Sequence, residues 1–266
     1  HYTPGGEVIR PYDITSWSLP LHFGVTSVEL ETRSKALEAS LVPFEATPPI
    51  SPDLDSVWGV ALDPRDNASF RVAFAALETG VRVSRAPDGL TIGDTHLPPG
   101  TFILKNPRGD VLDLIPAART TPIEAEPVTE MVEVSKPRVA LIETWYHDMD
   151  AGWTRYVLET YGVAHTLLRP GDVVEADLAE NFDVVIFPDA DENVLTKGKY
   201  ESSGPYRVND YRPEYRKGLG EDGFKGLEAC IEKGGIVVAW GRCVSTRIAV
   251  TRSGSVPACS VRTRSP

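Results

Sequence analysis

The sequence predicts an α/β protein built from two modules, the second of which contains a doubly wound parallel sheet. From residue 138 onward, short apolar runs alternate with stretches of helical period, as a parallel sheet with crossover helices requires. Before residue 120, one helical stretch lies between apolar runs and further β follows it, which predicts a smaller module. The chain has 266 residues, enough for two ordinary domains, each with its own core.

The first half divides into a connecting segment, a module and a linker. Residues 1–24 mix prolines and aromatic residues without a period, and we interpret them as an ordered connecting segment. Residues 25–119 predict the small module, with strands at 25–31, 57–62, 81–86 and 100–105 and a helix over 68–79 capped by Asp66-Asn67. Residues 120–137 contain three prolines and no helical stripe, so we interpret them as the linker.

Residues 138–241 predict the larger module. Its strands are "RVALIET", "AHTLLR", "FDVVIFPD" and "IVVAWG", which contain apolar runs suited to a sheet covered on both faces. The helix "GWTRYVLETYG" places four large side chains on one face: Trp153, Tyr156, Val157 and Tyr161. The helix "EDGFKGLEACIEKGG" directs another set inward: Phe224, Leu227, Cys230 and Ile231.

The composition changes sharply after residue 241. Residues 242–266 contain five arginines and no acidic residue, so the net charge of −11 for the whole chain corresponds to −16 for the first 241 residues. We interpret 242–266 as a basic tail that is disordered or non-native. The acidic balance argues against nucleic acid as a partner, and no apolar run is long enough to span a membrane.

Two acidic clusters follow strands of the predicted parallel sheet, where such sheets bind ligands. One contains His147, Asp148 and Asp150; the other contains Asp189, Asp191 and Glu192. Together they predict a crevice that could hold a hard or borderline divalent cation. The alternative is structural: Asp150 would cap the following helix and Asp148 would lie near its positive end, with no metal. We assign no catalytic residue and no metal ligand from this pattern, and both interpretations stay open.

Cys243 follows the last predicted strand, where some α/β hydrolases and amidotransferases carry a nucleophile on a tight turn. The surrounding "WGRCVS" lacks the small residues that such a turn needs, and the turn position itself is nearer Gly241. His165 begins a strand, so no general base is evident. Cys243 is therefore only a weak candidate for a reactive thiol.

Four segments resemble one protein family: "RPYDITSWSLPLHFGV" (10–25), "MDAGWTRYVLETYG" (149–162), "FDVVIFPD" (182–189) and "PEYRKGLGEDGFKGLEACIEKGGIVVA" (213–239). They are similar to the region downstream of the catalytic domain in large bacterial zinc carboxypeptidase-like proteins, which are metallopeptidases of the carboxypeptidase A type. There the second half resembles a class I glutamine amidotransferase with a flavodoxin-like sheet, without the amidotransferase cysteine.

The resemblance implies a non-catalytic accessory region of an exported peptidase. The family's zinc ligands, an H-x-x-E pair and a distant His, lie upstream of the matching part, so no cofactor is expected in this chain and zinc only in the absent catalytic domain. The expected partner is that upstream domain. Two other functions remain open: an independent metal-binding domain or hydrolase that uses the acidic crevice, and a peptide- or carbohydrate-binding module with Trp145, Tyr146 and Trp153 as stacking surfaces.

Overall fold

The computed structural model describes residues 28, 30–43, 54, 57–146, 148–200 and 212–244. The chain divides into two compact units, residues 1–50 and 51–266. In the first unit the described helix is α1 (Lys35–Ser40), which begins where the Ser34 hydroxyl accepts a hydrogen bond from the Leu37 N–H. The predicted connecting segment (1–24), most of the predicted strand at 25–31 and tail residues 245–266 lie outside the described residues.

The second unit begins with an antiparallel sheet of five strands: β1 (Gly59–Leu62), β2 (Val83–Ala86), β5 (Thr101–Lys105), β6 (Thr120–Ile123) and β7 (Val132–Val134). Their order in the sheet is β6-β1-β5-β2-β7. A separate hairpin joins β3 (Leu90–Ile92) to β4 (Thr95–Leu97).

Helix α2 (Asn67–Glu78) packs on this sheet, as the sequence predicts. Its N-cap is Asp66, which accepts a hydrogen bond from the Ala68 N–H. The helix buries Val72, Ala73 and Ala76 against a core that includes the buried strand β1. A short helix, α3 (Val111–Leu114), follows β5 and runs into a 3₁₀ turn at Ile115–Ala117.

The segment predicted to be a linker contributes two strands to the antiparallel sheet. Within 120–137, β6 pairs with β1 and β7 pairs with β2, so both ends of the segment form sheet edges. The proline in β6 is compatible with this position, because an edge strand has one side without ladder partners. A proline-rich composition therefore marks the sheet edge here and not an unstructured connection.

The larger module is a four-stranded parallel sheet whose strands alternate with helices, as predicted. Its strands are β8 (Val139–Ile142), β9 (His165–Leu168), β10 (Val184–Phe187) and β11 (Ile236–Ala239), in the order β11-β10-β8-β9. The described helices of this module are α4 (Met149–Thr160), α5 (Leu178–Asn181), α6 (Glu192–Lys197) and α7 (Gly220–Glu232). It also contains 3₁₀ turns at Pro170–Asp172, Pro213–Arg216 and Gly241–Val244.

Helix α7 covers one face of this sheet. Phe224, Leu227 and Cys230 are buried against β8 and β10, and Ile231 is half-buried, which confirms the predicted inward face. Glycine is required at Gly235, because a Cβ there would lie 2.8 Å from the Cys230 carbonyl oxygen at the end of α7. The core of the module therefore lies between α7, α5 and the sheet.

The predicted apolar face of helix α4, unlike that of α7, is mostly exposed. Three of the four residues that share its predicted apolar face, Trp153, Tyr156 and Val157, are exposed, and only Tyr161 is half-buried. The side of α4 that contains Ala151 and Leu158 is the more buried one. Spacing identifies the residues that share a face correctly, but it does not reveal whether that face packs against another element.

In the described ranges, no helix is both long and apolar enough to cross a bilayer.

Candidate functional site

The predicted acidic crevice exists as a small cavity at the carboxyl ends of β8, β10 and β11. Its volume is about 170 Å³, below the roughly 300–1,000 Å³ of pockets that enclose drug-sized ligands. Residues from three turns line it: Thr144, Asp148, Met149, Asp150, Asp189, Ala190, Asp191, Val194, Tyr200 and Arg242. The structure thus brings together Asp148, Asp150, Asp189 and Asp191 of the predicted site. Glu192 begins α6 and is exposed outside this lining, and His147 lies outside the described residues.

Asp148, not Asp150, caps helix α4. One Asp148 carboxylate oxygen accepts a hydrogen bond from the Ala151 N–H at 3.0 Å, and the other accepts from the Thr144 N–H at 3.1 Å and the Thr144 hydroxyl at 3.2 Å. Asp150 lies two positions further on, exposed in the first turn, where its charge interacts favourably with the helix dipole. The assignment of the cap to Asp150 is therefore wrong by two residues, because the helix begins at Met149 and not at Gly152.

Asp191 also has a structural role. It is the N-cap of α6, and one of its oxygens accepts hydrogen bonds from the Asn193 and Val194 N–H groups at 3.0 and 3.2 Å. Two of the four crevice carboxylates are thus committed to helix starts, where an anion is favourable.

Asp189 is paired with Arg242. Its Oδ1 accepts a hydrogen bond from the Arg242 backbone N–H at 2.6 Å, and the Arg242 guanidinium approaches both carboxylate oxygens at 3.2–3.3 Å. Burial alone would raise the pKa of Asp189, but these hydrogen bonds outweigh it and hold the pKa below its usual value. Asp189 is consequently ionised at neutral pH, and Arg242 balances its charge.

The turn after β11 is sharp at Gly241, where φ is +63°. A Cβ at this position would lie 2.4 Å from Asp189 Oδ1, so the glycine also makes room for the carboxylate. A side chain at position 241 and the Asp189 carboxylate therefore cannot occupy the same space. We call the three residues the closed arrangement: Gly241, Arg242 and Asp189.

Cys243 is buried, and its surroundings disfavour the reactive thiolate. Its Sγ donates to the Pro188 carbonyl oxygen at 3.0 Å, and burial raises its pKa to about 11. A thiol with this pKa is almost entirely protonated at neutral pH, and the thiolate is the nucleophilic form. The structure therefore gives Cys243 a packing role beneath the crevice.

Two of the three predicted stacking side chains, Trp145 and Tyr146, contact other groups of the protein, although Trp145 remains 48% exposed. The Arg169 guanidinium lies 4.1 Å from the ring centroid of Trp145, and the Tyr215 ring meets the same indole at 4.9 Å. Tyr146 packs edge-on against Tyr200, and its hydroxyl donates to the Gly198 carbonyl oxygen at 2.9 Å. These contacts join the turn after β8 to residues 198–200 and 213–216, whereas the third surface, Trp153, is exposed.

The residue that sequence reasoning misses is Arg242. The composition places it in the predicted tail, yet Arg242 and Cys243 belong to the turn that closes the crevice, and Cys243 is fully buried. Arg242 and its partner Asp189 are 53 residues apart, and only the pairing of β10 with β11 brings them together. The general rule that parallel strands end at the same edge of a sheet is the one signal that could have suggested the contact.

In the part of the chain that the structure describes, no three His, Cys, Asp or Glu side chains are grouped so that they could hold a metal ion. Comparison of the chain with family models, with curated proteins and with solved structures finds no match.

Proposed function

We propose that this chain is a non-catalytic accessory region of a zinc carboxypeptidase-like peptidase, and that its larger module is a flavodoxin-like domain related to class I glutamine amidotransferases. The strand order supports this relationship. Within this sheet, β8, β9, β10 and β11 are strands 1 to 4 in chain order. Their spatial order from β9 to β11 is therefore 2-1-3-4, which matches the first four strands of the flavodoxin-like order 2-1-3-4-5. The four segments quoted above carry the family resemblance.

The observation that carries the non-catalytic assignment is the hydrogen bond from the Arg242 N–H to Asp189. In hydrolases with a nucleophile on a strand–turn–helix, the amide of the following residue binds the oxyanion of the intermediate. Here the turn residue is Gly241, which has no nucleophile, and the next amide already binds a carboxylate of the same chain. The Asp189 carboxylate thus occupies both the Arg242 N–H that would bind an oxyanion and the space beside Gly241.

The commitment of Asp148 and Asp191 to helix caps supports the same conclusion for the rest of the crevice. Each carboxylate satisfies helix N–H groups that would otherwise lack an acceptor, which accounts for its position without a cation. We therefore infer that the crevice stabilises the carboxyl edge of the sheet. The work of the region is to pack against the upstream peptidase domain of an exported protein, and the zinc belongs to that domain.

Sequencing the DNA upstream of the codon for His1 tests this proposal. We expect an in-frame domain that contains an H-x-x-E pair and a more distant His, as a zinc carboxypeptidase requires. An upstream frame that encodes an unrelated domain, or a start codon directly before His1, would overturn the assignment. Neither result depends on whether the isolated chain binds other molecules.

A further inference from the structure

Helix α4 carries an apolar stripe on its outer side. Met149, Trp153, Tyr156 and Val157 are 63, 68, 60 and 50% exposed, and they lie at positions i, i+4, i+7 and i+8 of one helix face. We call these four residues the aromatic stripe. Single exposed apolar residues are ordinary on a protein surface, but a continuous stripe that includes Trp and Tyr is typical of a surface that packs against a partner.

On the face of the parallel sheet opposite α7, the described strands β10 and β11 carry half-buried and exposed apolar residues. Neighbouring residues of β8, β10 and β11 form two rows on this face. In each row the exposed fraction of the residue rises from β8 towards the edge strand β11. In both rows the β8 residue is buried and the β10 residue is half-buried, whereas the β11 residues Val238 and Ile236 are 40 and 45% exposed. We call the four outer residues the open floor: Val184, Ile186, Ile236 and Val238.

The aromatic stripe and the open floor lie on the same side of the sheet. The alternate residues Val185 and Phe187 pack in the core beneath α7, so the floor residues point the other way. Helix α4 contacts β8, and none of its described residues belongs to the α7 core. Because α4 covers β8, the floor over β10 and β11 beside it is two strands wide, about 10 Å, which is the diameter of one helix.

We propose that two copies of this chain form a two-fold dimer in which the aromatic stripe of each copy packs on the open floor of the other. A two-fold axis that runs between the two α4 helices, parallel to them, produces both contacts at once. The result is a layer of two helices between two sheets. A parallel sheet normally has both faces covered, and this arrangement covers the part that each copy leaves open.

The available apolar area approaches that of a stable dimer. With roughly 200 Å² for a whole aromatic side chain, Trp153 and Tyr156 together leave about 250 Å² exposed. Met149, Val157, Ile236 and Val238 add about 300 Å² if each whole side chain is taken as roughly 150 Å². Burying these surfaces in both copies removes about 1,100 Å² before any polar rim is counted, close to the roughly 1,200–2,000 Å² of stable interfaces.

Sedimentation equilibrium of the full chain between roughly 1 and 100 µM tests the dimer. We expect a monomer–dimer equilibrium that tightens as salt is raised, because each copy carries a charge of −11 and salt screens the repulsion. Trp153→Arg should weaken the dimer at least about 30-fold, as expected for a buried Trp at an interface centre. Val132→Arg is the control for the added positive charge, since Val132 is 51% exposed on β7, a strand of the other sheet.

A mixing experiment distinguishes stripe-on-floor packing from any other contact. Val238→Glu should also weaken self-association, with circular dichroism used to verify that the variant is folded. In a mixture of Trp153→Arg with Val238→Glu, one contact pairs the new Arg with the new Glu and the other keeps Trp153 on Val238. We therefore expect the mixture to dimerise more tightly than either variant alone.

Three results would overturn the proposal. One is a chain that stays monomeric at 100 µM. Another is Trp153→Arg dimerising as well as the wild type. The third is a mixture of the two variants that associates no better than its components. The accessory role proposed above does not depend on any of these outcomes.

Discussion

The closed arrangement of Gly241, Arg242 and Asp189 can be tested by a double-mutant cycle. In Gly241→Ala, a residue with a Cβ must adopt φ +63°, which costs about 1 kcal/mol in the left-handed region. The new Cβ would also lie 2.4 Å from Asp189 Oδ1, so the carboxylate must leave the Arg242 N–H. Losing a hydrogen bond between an amide and a carboxylate costs about 2 kcal/mol, and the new Cβ also lies 2.6 Å from the Asp189 Cβ, so we expect a total loss of at least about 3 kcal/mol.

Asp189→Ala should cost about 2 kcal/mol, mainly through the lost backbone hydrogen bond. The contribution of the Arg242 side chain is small, because the side chain is largely exposed and its ion pair is screened by solvent. In the double variant the carboxylate is already absent, so the Gly241→Ala substitution adds its backbone strain and a close contact with the remaining Cβ at position 189, 2.6 Å away, but no further loss of a hydrogen bond. We therefore expect the double variant to lose about 2 kcal/mol less than the sum of the two single losses.

Urea unfolding of the four proteins at low micromolar concentration measures these values. Gly162→Ala is the matched control: its φ of +70° is similar, but a Cβ there meets no atom within 4 Å. It should lose only about 1 kcal/mol. If Gly241→Ala costs no more than Gly162→Ala, or if the two single losses add fully in the double variant, Asp189 does not occupy the space beside Gly241 and the reasoning is refuted.

Two further predictions concern other groups. At pH 7, Cys243 should react with iodoacetamide far more slowly in the folded chain than in urea, because the thiol is buried and its pKa is raised to about 11; fast labelling of the folded chain would reveal an activated thiolate. Asp63→Asn should cost about 1–2 kcal/mol at pH 7, since the buried Asp63 carboxylate accepts hydrogen bonds from Arg65 that hold its pKa below the usual value. The stabilisation is complete above the unfolded pKa of about 3.9 and is lost as pH falls through the lower folded pKa, so wild type and variant should converge in strong acid; a difference that persists unchanged there would contradict this.

The elements of the larger module can be predicted because their sequence signals are local. The apolar runs identify β8 and β11, and the helical spacing of Phe224, Leu227 and Cys230 identifies the buried face of α7. In contrast, the predicted start of α4 is three residues late. Asp148 and Asp150 are both acceptable caps by residue type, and only the contacts of Asp148 with Thr144 distinguish them.

The remaining features depend on tertiary contacts that no local pattern contains. The strands at 120–123 and 132–134 exist because β1 and β2 offer them edges, and composition alone resembles a linker. The strand-end rule identifies the four crevice aspartates as neighbours, but their roles follow from partners such as Arg242 and the helix N–H groups. The exposure of Trp153 and Tyr156 shows the same limit, because periodicity does not specify what a helix face contacts.

We propose that the Arg242 amide and the crevice carboxylates serve structural contacts and that the chain therefore does not hydrolyse peptides. Incubating the purified chain with peptides that have free C-terminal residues, with added zinc and with a chelator, tests it most directly. We expect no release of amino acids above the uncatalysed background in either condition. Release that requires zinc and stops with the chelator would contradict it.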